Sequence, residues 1–96
     1  MRVLVFSTRN GVLYLTEYGQ VVLRHGLLTV SKFLSIEEAQ RFFAEHESGR
    51  NSIQVRSGPV YLRLENGGLR LSTQDFDWLG QVEAVHHHVL DAPAPF

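Results

Sequence analysis

Through most of its first third the chain sets apolar against polar residues with a period of two. That pattern fits an extended strand with one buried face and no other regular element. Arg2–Ser7 reads as one strand, and Asn10-Gly11 as the tight turn from which Val12–Tyr18 returns. Gly19 punctuates, Gln20–His25 is a third strand, and Gly26 turns the chain into Leu28–Phe33. The period then changes. Ser35 stands as N-cap before Ile36–Ser48, with Glu38 placed to complete a capping box and Ile36, Ala39, Phe42 and Phe43 on one arc. Gly49 ends that helix.

The second half predicts strands at Ile53–Ser57, Val60–Glu65 and Leu69–Ser72, with turns at Gly58-Pro59 and Asn66-Gly67-Gly68. Ser72 or Thr73 then caps a second helix over Gln74–Leu90, with Asp75 in the first turn. Phe76, Trp78, Leu79, Val82, Val85, Val89 and Leu90 form its apolar arc, and Gly80 sits mid-helix on the polar side without a rationale. Gly19-Gln-Val-Val-Leu-Arg24 overlays Gly58-Pro-Val-Tyr-Leu-Arg63, a weak internal duplication. The expected fold is α+β: a curved antiparallel sheet with two helices on one face, in the order β-β-β-β-α-β-β-β-α. Residues 1–91 form one domain and residues 92–96 an extended tail.

Composition narrows the setting. The 96 residues are 44% apolar and carry no cysteine, so neither a disulfide framework nor a thiolate zinc site is available. No apolar run approaches the ~20 residues of a membrane span, and the opening Met1-Arg2-Val3-Leu4-Val5-Phe6 does not read as a signal peptide. A cytoplasmic protein is expected, and a core this small favours a homodimer or higher assembly.

The formal charge of −1 hides a segregation. The strand register opposite the core carries Tyr14, Thr16, Tyr18, Arg24, Gln54, Arg56, Tyr61, Arg63 and Arg70, with Glu65 as its single acid. Glu37, Glu38, Glu45, Glu47, Asp75, Asp77 and Glu83 all fall on the two predicted helices. Arginine cancels phosphate charge and tyrosine rings stack unpaired bases. Arg24, Arg56, Arg63, Arg70, Tyr14, Tyr18 and Tyr61 are therefore the candidate nucleic-acid contacts. Preferences of arginine and tyrosine for exposed strand positions would produce part of the same pattern.

Little points to catalysis. His86-His87-His88 on a helix would point ~100° apart and could not face one metal, so no metal site is expected; His86 and His46 should be buried, His87 and His88 exposed. Asp75 and Asp77 have no visible base or nucleophile, and no phosphate-loop spacing occurs. A non-enzymatic protein without a cofactor is the expectation.

The chain closes Asp91-Ala-Pro-Ala-Pro95-Phe96. Prolines keep it extended, and Phe96 reads as an anchor for a protein partner. Pro95-Phe96 resembles the tip of bacterial single-stranded-DNA-binding proteins, which follows several acids, where this chain has Asp91, and which recruits repair and replication partners. Strands followed by a helix, given twice, are similar to the Whirly and PUR families, whose sheets contact single-stranded nucleic acid. The resemblances imply single-stranded nucleic-acid binding across the open sheet. The alternative is a small protein-binding regulator or inhibitor, a phage-type accessory factor acting through the sheet or the acidic helices.

Overall fold

The structure, a computed structural model, describes residues 1–91. Its elements are β1 (Arg2–Thr8), β2 (Gly11–Thr16), β3 (Gln20–His25), β4 (Leu28–Phe33), α1 (Ile36–Glu47), β5 (Ser52–Ser57), β6 (Val60–Glu65), β7 (Gly68–Ser72) and β8 (Asp77–Val89). All strands belong to one antiparallel sheet in the order β4-β3-β2-β1-β8-β7-β6-β5. Two four-stranded meanders thus meet where the first strand pairs with the last.

Eight strands laid flat at ~4.8 Å spacing would span roughly 34 Å. The Cα extents are 28 × 28 × 27 Å, so the sheet curls. Curling turns the inner faces of the two meanders toward each other. Phe6, Leu13, Leu15 and Leu23 from one side join Ile53, Leu62, Leu69 and Leu71 from the other in a single buried cluster. Helix α1 adds Phe42 and Phe43, with Phe42 edge-on to Phe6 at 6.1 Å between ring centroids.

Ser35 caps α1 as the sequence predicts, its hydroxyl accepting from the Glu38 N–H at 3.2 Å. The reciprocal half of the capping box is replaced. The Glu38 carboxylate instead accepts from the Arg56 N–H at 2.9 Å and from Arg41, while Arg41 donates to the Gln54 carbonyl. Those backbone groups lie on the outer edge of β5, so α1 side chains seal an edge that would otherwise invite another strand. Ile36, expected on the buried arc, is exposed.

The predicted second helix is wrong: its residues form the turn into β8 and the strand itself. The described residues therefore form one helix on a curled sheet, not two helices on one face. The register explains how the strand imitates a helix. Asp77–Gln81 pairs with β7, and Val82–Val89 pairs with β1. Between them Ser7 faces Ala84 and Thr8 faces Val82, which leaves Glu83 as an extra residue, a β-bulge. Trp78 and Val82 lie in one row on the core face before the bulge, and Val85 and Val89 continue that row after it, where the strand runs out to an exposed end. The row runs 78, 80, 82, 85, 87, 89. With Gly80 and His87 as its members lacking an apolar side chain, the inserted residue leaves the apolar ones spaced four, three and four, the spacing of a helix face. β-branched valines and the unpaired edges of β1 and β7 favour the strand.

Gly80 gains a reason. A Cβ there would lie 2.6 Å from the Trp78 ring and 2.9 Å from the Thr8 methyl. The indole lies across the Gly80 backbone and donates from Nε1 to the Asn10 carbonyl at 3.0 Å. The duplication also stops here: at a spacing of 39, β2-β3-β4 overlay β5-β6-β7, but α1 overlays β8.

Candidate nucleic-acid interface

Cross-strand partners share a face, so the register assembles the outer surface directly. On the second meander one row runs Gln54, Arg63, Arg70, Leu79, and the next runs Arg56, Tyr61, Ser72, Asp77. Arg56, Tyr61, Arg63 and Arg70 are thus brought together on one patch. The Arg56 guanidinium lies over the Tyr61 ring at 4.7 Å, within cation–π range. The Tyr61 hydroxyl donates to Gln54 Oε1 at 3.2 Å, which holds the hydroxyl end of the ring beside β5.

Two acids sit among these cations. Asp77 accepts from Arg70 Nε at 3.0 Å and from Nη2 at 3.1 Å, a bidentate pair. The bonds from Arg70 hold the Asp77 carboxyl below its usual range, and Asp77 raises Arg70 in turn. Glu65 lies 3.6 Å from Arg63 Nε. Three arginines against two carboxylates leave one excess positive charge on the patch, less than the segregation of acids onto two helices implied. Asp77 and Glu83 are on β8 and Asp75 is in the preceding turn; only Glu37, Glu38, Glu45 and Glu47 belong to α1.

The remaining candidates lie elsewhere. Tyr14 and Arg24 occupy the outer face of the first meander, with the Arg24 guanidinium 5.8 Å from the Tyr14 ring centroid. Between β2 and β6 stand β1, β8 and β7, a path of about 19 Å along the sheet. Tyr18 is exposed in the β2–β3 turn, off the strand register. This half of the outer face is also not the open surface that alternation predicts. Val3, Thr16 and Val22 are each 1% exposed, although they share a face with Tyr14. Pro95 and Phe96 lie outside the described residues.

The sequence reading missed Leu79 as a member of the patch. It is 61% exposed and directly opposite Arg70, whereas a helical wheel buries it beside Trp78. The signal that could have found it was Gly80, which a helix does not explain and a strand beneath an indole does.

Histidines are also redistributed. His46 is half-buried, packed on Phe6 and Phe42 at 6.0 and 6.4 Å between ring centroids. Burial first, then the nearby His87, pushes its pKa down, and Glu47 opposes the shift. His86 is exposed, contrary to expectation, because strand alternation points it to the outer face. His87 and His88 are exposed as expected. Among the described residues no helix is long and apolar enough to cross a membrane. Searches of protein families, curated proteins and solved structures found no match to the chain.

Proposed function

We propose that this chain is a non-enzymatic single-stranded nucleic-acid-binding protein whose contact surface is the outer face of β5–β8. The observation that carries the reading is the adjacency of Arg56, Tyr61, Arg63 and Arg70 in two neighbouring cross-strand rows. Arginines spaced by the ~4.8 Å strand repeat can meet successive phosphates, and an exposed apolar Leu79 offers a base an apolar contact. A base can stack on Tyr61 by taking the place of the Arg56 guanidinium, which is held there by a contact worth only about 0.5–1 kcal/mol. Arg24 and Tyr14, about 19 Å away along the sheet, lie outside this contact surface, and a homodimer would lengthen the track.

The test is fluorescence anisotropy with short oligonucleotides at ~50 and ~200 mM salt. Each phosphate contact should add ~0.7 to the log–log salt slope for single strands. Arg63→Ala should weaken all sequences equally and remove about one such increment, whereas Tyr61→Ala should weaken binding by ~1–3 kcal/mol with the slope intact. No binding by the wild-type protein at low salt and micromolar concentration would overturn the reading.

A further inference from the structure

We propose that His86 and His88 form a two-histidine site for a late divalent transition metal, of the Cu²⁺, Ni²⁺ and Zn²⁺ class. The argument rests on β8 being a strand. Residues two apart on a strand project from the same face, so the spacing that separates these imidazoles on a helix aligns them here. Their ring centroids are 6.2 Å apart with the planes tilted by 39°. Two imidazoles sharing one ion at ~2.0–2.1 Å per bond hold their centroids roughly 5–6 Å apart. Rotation about the side-chain torsions closes that difference without moving backbone.

The surroundings suit a metal. His86 pairs with Val5 and His88 with Val3, so the residues opposite on β1 are apolar and carry no competing cation. Both imidazoles are exposed, and β7 stops at the Gly68–Gln81 pair, short of this part of β8. His87, between them in sequence, projects to the other face, with its ring 6.2 Å from that of Phe43 on α1. Among the described residues no group of three or more histidine, cysteine, aspartate or glutamate side chains is placed to hold an ion. The site is therefore bidentate, with water completing the coordination shell. Neutral imidazole selects copper, nickel and zinc over magnesium or calcium, which demand oxygen ligands.

The experiment uses untagged protein titrated with nickel(II) or zinc(II) chloride in a non-chelating buffer, followed by calorimetry and thermal unfolding. Expected are one ion per chain, a Tm that rises with metal concentration, and no response to magnesium. Loss of an outer-shell partner alone typically costs ~10–100-fold in affinity. His86→Gln and His88→Gln, which remove ligands outright, should each weaken nickel at least about tenfold. His87→Gln should leave affinity unchanged, and far-UV circular dichroism checks that all three variants fold. The proposal is overturned if millimolar metal gives neither heat nor a Tm change. Full binding by His88→Gln, or loss of binding in His87→Gln, overturns it equally.

Discussion

Gly80→Ala asks the fold a question with opposite answers for the two readings of β8. In a helix interior, alanine is better than glycine by about 1 kcal/mol, so the variant would be more stable than the parent. In the strand, the new methyl falls 2.6 Å from two carbons of the Trp78 ring and 2.9 Å from Thr8 Cγ2. Neither neighbour is the free end of a flexible chain. Trp78 is 5% exposed and anchored through Nε1 to the Asn10 carbonyl, so the indole must tilt and its hydrogen bond must lengthen or break. Overpacking typically costs 1–3 kcal/mol, and a lost hydrogen bond about 1 kcal/mol. Relief of the glycine's backbone entropy returns about 0.5–1 kcal/mol. The net expectation is a loss of about 2 kcal/mol. For a domain of this size each kcal/mol moves Tm by about 4–8 °C, so a fall of roughly 8–16 °C should be seen. Urea unfolding followed by tryptophan fluorescence reports on the same site, since Trp78 is the one tryptophan in the sequence. A variant equal to or more stable than wild type would refute both the strand and the packing of the indole on Gly80.

Two further outcomes follow from the site electrostatics. His46 has a folded pKa below its ordinary 6.5, so the unfolded chain binds the proton more tightly. Stability is then full above pH 6.5 and declines as pH falls below it; His46→Leu should flatten that limb in denaturant midpoints measured from pH 7.5 to 5, and an unchanged slope would remove His46 as its source. Asp77→Asn removes one of the two acids on the arginine patch and releases Arg70. Oligonucleotide affinity should rise and the salt slope steepen by up to one phosphate increment of ~0.7, whereas unchanged binding would show that Arg70 lies off the nucleic-acid path.

Strands β1–β7 and α1 were legible because each is short and bounded by a local signal, and none carries an inserted residue that imitates another period. Asn10-Gly11, Gly26, Gly58-Pro59 and Asn66-Gly67 mark turns, and Ser35 and Gly49 mark helix ends. β8 lacks both properties. Its rows are interrupted at Glu83, and its pairing partners, β1 and β7, are specified by residues far away in sequence. A local reading of Trp78, Val82, Val85 and Val89 cannot tell a bulged strand from a helix face. The candidate site inherited the error. Arg56, Tyr61, Arg63 and Arg70 sit on strands read correctly and do come together, but their fourth neighbour strand was misread. Asp77 and Leu79 were therefore assigned to a helix, and the surface looked more basic than it is.

The bulge that misled the periodicity is also what lets the topology close. β8 must continue the second meander over Asp77–Gln81 and then join the first over Val82–Val89, and the two meanders turn their inner faces toward each other. A regular strand shared by both would hold them in one gently twisted plane. An extra residue bends the strand and increases its local twist, and it changes which parity faces inward at the point where the sheet curls. The junction is fixed at both ends. Beside the bulge, Asn10 accepts from Trp78 Nε1 and donates from its amide to the Leu79 carbonyl; at the far end the Met1 ammonium donates to the Leu90 carbonyl and the Leu90 N–H to the Met1 carbonyl. Contacts between β1 and β8 join residues more than seventy positions apart, so this closure carries the largest loop entropy in the fold. It also has the most to gain from a preset bend. The same bend places Arg70 and Leu79 on one side of the junction and His86 and His88 on the other. The two proposed sites therefore share the outer face without sharing a side chain: Arg70 and Leu79 lie where β7 pairs with β8, His86 and His88 where β8 pairs with β1, and each can be removed without the other.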